Sequence, residues 1–261
     1  MSELRFDGRV AIVTGAGRGL GHAYAALLAE RGASVVVNDV DTDVATSVAA
    51  SLPGAVACPA DVASHDGGAL VVGAALDAFG RVDVVVANAG TSWHRPFGEL
   101  EAQDLADVLG PSLFGTFHVV RAAWPHLIGQ GFGRVVTTAS GAVFGFAGRA
   151  HYAAAKGAVL ALTTTLAVEG APHGVSANCV LPWGATRLAR AGSDAPDAAL
   201  AAPPVAWLCH ETCQETGAAF SIGGGRIARI RFASGPSTVV SEPTPEAYRD
   251  ALAGGTARST R

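Results

Sequence analysis

The sequence predicts an α/β protein built on a doubly wound, mostly parallel sheet with helices on both faces. Three observations predict it: short valine-rich runs recur to about residue 180, stretches of helical period separate them, and a glycine cluster follows the first run directly. The runs are almost continuously apolar instead of alternating, as suits parallel strands covered on both faces.

Strands are expected at 10–14 (VAIVT), 34–38 (SVVVN), 55–58 (AVAC), 82–87 (VDVVVA), 134–139 (RVVTTA), 175–180 (VSANCV) and 218–222 (AAFSI). A glycine turn at 223–225 leads to a further extended segment at 226–232. Helices are expected at 20–31, 42–50, 66–79, 101–127 and 152–170. In ALVVGAALDAFG, Leu70, Ala74, Asp77 and Ala78 recur at spacings of three and four, and Gly80 supplies a stop beside Arg81. From Gly235 onward Pro, Ser, Thr and charge dominate, apart from a short helix expected near 244–252. The expected organisation is one catalytic domain over 1–232 and a C-terminal extension or tail over 233–261.

Composition narrows the function classes. With 49% hydrophobic residues, 33 glycines and 13 prolines in 261, the chain is too apolar for disorder and too aperiodic for collagen. Eighteen Lys and Arg against 22 Asp and Glu give a net charge of -4, and the basic residues are scattered, so nucleic acid is not an expected partner. Residues 2–9 are polar and the apolar run Val10–Val13 soon meets glycines, which reads as no signal peptide. No apolar run approaches bilayer length, so a cytoplasmic protein with no membrane partner is expected. Four cysteines do not make a disulfide scaffold. Cys58 and Cys179 read as buried thiols in strands. Cys209 and Cys213 flank His210, but no second pair answers them, so no metal is expected and the two are placed on one face of a helix against the sheet.

The segment following the first strand carries Gly15, Gly17, Arg18, Gly19, Leu20 and Gly21. Glycines there allow tight turning and close approach of phosphate, and the helix beginning near Gly19 offers free amides and its positive dipole end to a pyrophosphate. Asp39 ends the second strand 18 residues beyond Gly21, where a carboxylate accepts hydrogen bonds from ribose hydroxyls and repels a 2'-phosphate. NAD(H) is therefore expected over NADP(H), with Arg18 as the opposing signal. Asp61, followed by Val62, either contacts the adenine edge or caps the next helix. Asn88, Ala89 and Gly90 close the fourth run with small residues, and Asn88 either ties neighbouring strand ends together or marks an ordinary turn.

Tyr152 and Lys156 lie four apart, which stacks them on one helix face, and Ser140 ends the preceding strand. Hydride transfer between an alcohol carbon and nicotinamide requires removal of the hydroxyl proton, and a phenol is normally too weak an acid to serve near neutrality. Lys156, with the charge of oxidised nicotinamide, is expected to lower the Tyr152 pKa, and Ser140 to hold the substrate oxygen. Taken together, the TGAGRGLG loop, the NAG at 88–90 and the Ser140, Tyr152, Lys156 arrangement resemble the classical short-chain dehydrogenase/reductase family over residues 5 to about 232.

The resemblance implies a Rossmann domain with a mostly parallel seven-stranded sheet, assembled as a homodimer or homotetramer through long helices at 101–127 and 152–170. It also implies that Tyr152 and Lys156 touch the cofactor, with Lys156 holding the nicotinamide ribose. Two departures stand out. Ser112 occupies the position where the family commonly has an asparagine supporting the lysine through a water, and a hydroxyl has shorter reach than an amide. Pro182-Trp183-Gly184 replaces the more frequent Pro-Gly, with Thr186 placed to meet the carboxamide or the pyrophosphate.

Trp93, His94, Phe97, Phe144, Phe146, Trp183 and Leu188 are expected on loops beyond the strand ends, which favours an apolar substrate. Trp183 serves either substrate contact or loop packing, and His151 is expected to point away from Tyr152. The 121–127, 140–156, 182–187 and 207–232 segments are similar to the (3R)-hydroxyacyl-CoA dehydrogenase domains of peroxisomal multifunctional enzymes of type 2. Three readings follow: a (3R)-3-hydroxyacyl-CoA dehydrogenase, a related alcohol or steroid oxidoreductase, and a non-catalytic nucleotide-binding or scaffold protein. No basic cluster in the sequence speaks for CoA.

Overall fold

The valine-rich runs pair into one sheet in the computed structural model, which describes residues 3–184, 194–231, 233–235, 237 and 239–255. Its strands are β1 (Val10–Thr14), β2 (Ser34–Asn38), β3 (Ala55–Cys58), β4 (Val84–Ala87), β5 (Gly133–Thr138), β6 (Val175–Pro182), β7 (Ala219–Gly223) and β8 (Arg226–Ile230). Their spatial order is β3-β2-β1-β4-β5-β6-β7-β8. All neighbours are parallel except β7 and β8. The sheet therefore has one strand more than the expected seven. Gly223, Gly224 and Gly225 take φ of 137, 56 and 74°, which reverses the chain at once and lays Arg226–Ile230 along β7. Arg226 and Arg229 then keep this largely exposed edge charged.

The helices are α1 (Gly19–Glu30), α2 (Thr42–Ser51), α3 (Gly67–Phe79), α4 (Ala102–Leu109), α5 (Gly115–Gln130), α6 (Ala150–Gly170), α7 (Ala202–Cys209) and α8 (Pro245–Gly255). Successive residues of a strand face opposite sides, so β1 feeds two cores. Ala11 and Val13 pack with Tyr24 and Leu28 of α1 and Val205 and Leu208 of α7. Val10 and Ile12 pack with Val71 and Ala75 of α3 and Val119 and Leu127 of α5. This double covering is the reason the strands read as continuous apolar runs. The chain divides into two units, Met1–Ile230 and Arg231–Arg261, the second containing α8. Among the described residues, no helix is long and apolar enough to cross a membrane.

Several local expectations change. The helix expected over 101–127 is α4, one π turn over Gly110–Phe114, and α5. Pro111 has no amide to give to the α-helical ladder, and the Gly115 amide bonds the Gly110 carbonyl five residues back. Helix α3 buries Val71, Val72 and Ala75, while Leu70 is 61% exposed, so the periodicity through Leu70 traces the outer face. Close packing of α3 on α5 depends on Gly68, where a Cβ would lie 2.4 Å from the His118 carbonyl. Cys209 ends α7, but His210 turns to extended backbone and Cys213 follows outside the helix; both thiols are buried and free.

Candidate active site

The strand order reverses at β1 and β4, so their carboxyl ends open a crevice in which α/β proteins place ligands. A cleft of about 1740 Å³ begins there and runs to the start of α6. Its nucleotide side is built by the β1–α1 turn, with Gly15 and Gly19 at φ of 61 and 55°. A Cβ on Gly21 would come 2.2 Å from the Gly15 carbonyl oxygen and 2.6 Å from Asn88 Nδ2, so this turn closes only around glycine. The Arg18 side chain does not cap α1, and Gly19, Leu20 and Gly21 of its first turn line the cleft. That arrangement fits a dinucleotide pyrophosphate.

Asp39 lines the same cleft, and its carboxylate accepts hydrogen bonds from the Gly17 amide at 3.0 Å and the Asp41 amide at 3.2 Å. Gly17 therefore serves the loop through Asp39 and is not itself a lining residue. Arg18 donates to Asp41 at 2.7 Å, which engages the guanidinium away from Asp39. Asp61 accepts from the Ala63 amide at 2.9 Å and so caps its own turn; the residue preceding α3 is Asp66. Asp61 and Val62 both line the cleft.

Asn88 donates to the Thr14 carbonyl at 3.0 Å and the Gly15 carbonyl at 3.3 Å, tying β4 to β1. Thr14 completes the tie from the other side, its hydroxyl accepting from the Asn88 and Ala89 amides at 3.0 Å each. Thr14 was not anticipated; its only sequence signal is its place directly before the glycine turn. Ala89 and Gly90 continue the cleft wall.

At the other end Ser140 follows β5 and accepts from the Ala142 amide at 3.2 Å, starting a short 3-10 turn. Ser140 also lies close enough to Tyr152 to draw its phenol downward. Tyr152 and Lys156 occupy the first turns of α6, with the ammonium 5.8 Å from the phenol ring centre. Lys156 is buried and donates to the Thr138 carbonyl at 2.7 Å. Burial brings its pKa down to about 8. Burial also pushes the Tyr152 phenol above its ordinary value, against the downward pulls of Ser140 and the Arg149 charge. Desolvation of the phenolate outweighs those two pulls.

Ser112 lies in the π turn with its Oγ buried and unpartnered among the described residues. A Cβ on Gly90 would be 3.0 Å from that Oγ and 3.3 Å from Lys156 Nζ, so the hydroxyl and the ammonium flank Gly90 together.

His94, Phe144, Phe146 and Trp183, expected to meet the substrate, line the cleft, with Pro182 at the end of β6. The amide of Trp183 bonds the Ile222 carbonyl at 2.8 Å, which pins the start of its loop to β7. Trp93 does not line the cleft. Its indole donates to Asp104 at 3.1 Å and lies tilted 5.1 Å from the buried His151, because the carboxylate on α4 gives the part-buried N–H its partner. Phe97 is 80% exposed and lies off the cleft. Thr186 and Leu188 fall outside the described residues. Arg149, at the start of α6, lines the cleft and was not anticipated.

A family model described as short chain dehydrogenase matches residues 9–194. The chain is 41% identical to the peroxisomal multifunctional enzyme type 2 of Mus musculus, over 95% of this chain and 37% of that protein. The chain therefore spans little more than a third of that relative. It is 40% identical to a short-chain type dehydrogenase/reductase of Mycobacterium tuberculosis, over 85% of this chain and 84% of the relative. A crystal structure of a short chain dehydrogenase from Mycobacterium avium superposes with a TM-score of 0.85 at 31% identity, covering 95% of this chain and 94% of that one. With its Rossmann sheet, its glycine turn and this agreement across the catalytic region, the chain belongs to the short-chain dehydrogenase/reductase family of oxidoreductases, whose dehydrogenases use nicotinamide cofactors.

Proposed function

We propose that the protein is an NAD(H)-dependent dehydrogenase interconverting a secondary alcohol and a ketone on an apolar substrate, with Tyr152 as general acid and base. The observation that carries this reading is that Ser140, Tyr152 and Lys156 line one cleft together with the start of α1. When bound, the nicotinamide supplies the hydride acceptor and, oxidised, a positive charge beside the phenol. Gly15, Gly19, Leu20 and Gly21 hold the pyrophosphate, Asp39 the adenosine ribose, and Asn88, Ala89, Gly90 and Pro182 the nicotinamide half, with Asp61 and Val62 beside the adenine. Ser140 positions the substrate oxygen, and Tyr152 takes its proton in oxidation and returns it in reduction. Lys156 and the Ser112 hydroxyl carry the proton onward past Gly90.

Asp39 supports NAD(H), since it lines the cleft with both oxygens held by backbone amides and its charge repels a 2'-phosphate. The decisive variant is Tyr152→Phe. It should keep cofactor binding and lose turnover by about 100-fold or more; turnover at the wild-type rate would remove the assigned chemistry.

A (3R)-3-hydroxyacyl-CoA is the more specific substrate reading, favoured by the identity to the mouse multifunctional enzyme across nearly the whole chain. Initial rates of NAD+ reduction with (3R)-hydroxyacyl-CoA esters, free secondary alcohols and steroid alcohols in one panel decide it. Turnover confined to free alcohols would eliminate the acyl-CoA assignment and leave the dehydrogenase chemistry intact. Association into a homodimer or homotetramer belongs to the same reading, supported by exposed Leu105, Phe114 and Phe117 along α4 and α5; a monomeric mass by light scattering would contradict it. A cytoplasmic site of action completes the reading, and cell fractionation tests it.

A further inference from the structure

We propose that Arg149 is a positioning residue for the Tyr152 phenol, a second fixed cation that shares with Lys156 the task of holding the phenolate during alcohol oxidation. The inference rests on Tyr152 being the acid and base. Arg149, the residue that precedes α6, stands three before Tyr152, and Lys156 stands four after it within the helix, so one cation comes before the phenol and one after it. Their distances from the ring centre are nearly equal, 6.0 Å for the guanidinium carbon and 5.8 Å for the ammonium.

Arg149 is held in that place. Its guanidinium donates to Ser92 Oγ at 2.6 Å, and its carbonyl accepts from the Ala153 amide at 2.8 Å. The Arg95 amide bonds the Gly148 carbonyl at 3.0 Å, which ties the loop carrying Ser92 to the start of α6.

The two cations differ in kind. Lys156 is buried with its pKa near 8, so it sheds charge in the mildly alkaline range where a phenol is most readily deprotonated. A guanidinium keeps its charge throughout that range. Among the other groups, Ser140 at the end of β5, His94 and Asp107 line the same cleft as Tyr152. Asp104 on α4 is committed to Arg95, Trp93 and the Glu101 amide. The Arg149 charge already acts downward on the phenol, beside Ser140.

The test compares pH profiles of kcat/KM for alcohol oxidation in the wild type, Arg149→Gln, Arg149→Lys and Ser92→Ala. Removing a charge that stands 6.0 Å from the ring centre should, in a water-like dielectric, raise the pKa of the ascending limb by roughly half a pH unit, about a threefold loss of rate below it. Arg149→Lys should restore most of the loss and Ser92→Ala should fall between. Added salt should narrow the gap between wild type and Arg149→Gln, because Arg149 is only partly buried. An ultraviolet difference titration of each protein against its Tyr152→Phe counterpart reads the phenolate without turnover and should show the same displacement. Should Arg149→Gln fail to fold, Arg149→Lys and Ser92→Ala still report the effect. A limb unmoved in Arg149→Gln overturns the proposal, as does a loss confined to the substrate KM. Turnover surviving in Tyr152→Phe would instead overturn the acid and base assignment beneath it.

Discussion

Replacing Lys156 with methionine should abolish turnover and stabilise the fold at neutral pH. Lys156 is 3% exposed, and burial takes its pKa from 10.5 to about 8. Each pH unit of such displacement is worth about 1.4 kcal/mol, so holding the charge in place costs the native state about 3 kcal/mol at pH 7. Methionine fills a comparable volume but forfeits the hydrogen bond to the Thr138 carbonyl, worth about 1.5 kcal/mol or somewhat more for a charged donor. A net gain of about 1 kcal/mol remains.

The sign of the pH dependence follows from proton uptake. Below the folded value of about 8, native and unfolded chains both carry the proton and the penalty is complete. Between 8 and 10.5 the native protein releases it first, so wild-type stability climbs with pH relative to the variant. Denaturant unfolding of both proteins from about pH 6 to about pH 10 measures this directly, and across the upper half of that range the stability difference should move by about 2 kcal/mol toward the wild type, which reverses the advantage of methionine. A stability difference that stays flat with pH would refute the argument that Lys156 is held charged at a desolvation cost.

Other consequences are as direct. Asp39→Ser should shift binding toward the 2'-phosphorylated cofactor and weaken NAD+, read by titrating both dinucleotides; an unchanged preference would show that Asp39 does not choose the cofactor. Gly68→Ala forces a Cβ to 2.4 Å from the His118 carbonyl and should cost about 2 kcal/mol, whereas Gly73→Ala, with nothing within 4 Å, should gain up to about 1 kcal/mol; equal melting temperatures would contradict the packing of α3 on α5. Asp83 is fully buried between Arg9, Arg81 and the Val10 amide, so Asp83→Ala should destabilise by about 3 kcal/mol in denaturant unfolding, and a loss under about 1 kcal/mol would count against the cluster.

Much of the fold was legible because its signals are local. Strands β1, β2 and β3 fall where the valine runs place them, since burial on both faces leaves a continuous apolar run. The glycine turn needs its glycines whatever surrounds it, and the Tyr152 to Lys156 spacing brings those side chains to one face of any helix. The parts that were not legible depend on partners distant in sequence. Nothing in Leu70 or Val71 says which side of α3 meets α5, and nothing in 226–232 says that three glycines will fold it back on β7.

The site divides in the same way. Glycine positions, Asp39, Ser140, Tyr152 and Lys156 carry their meaning in type and spacing, so the chain alone announced a dinucleotide crevice and a phenol with an ammonium beside it. Trp93 and His94 are adjacent and both looked like substrate contacts, yet a carboxylate on α4 claims the indole and leaves the imidazole in the cleft. Arg149 acquires its relation to Tyr152 through Ser92, 57 positions away. The Lys156 pKa follows from how completely β5 and α6 exclude water around it. Backbone conformation and helix spacing are short-range properties written into neighbouring residues, whereas desolvation and side-chain direction are set by whatever the packed chain brings alongside.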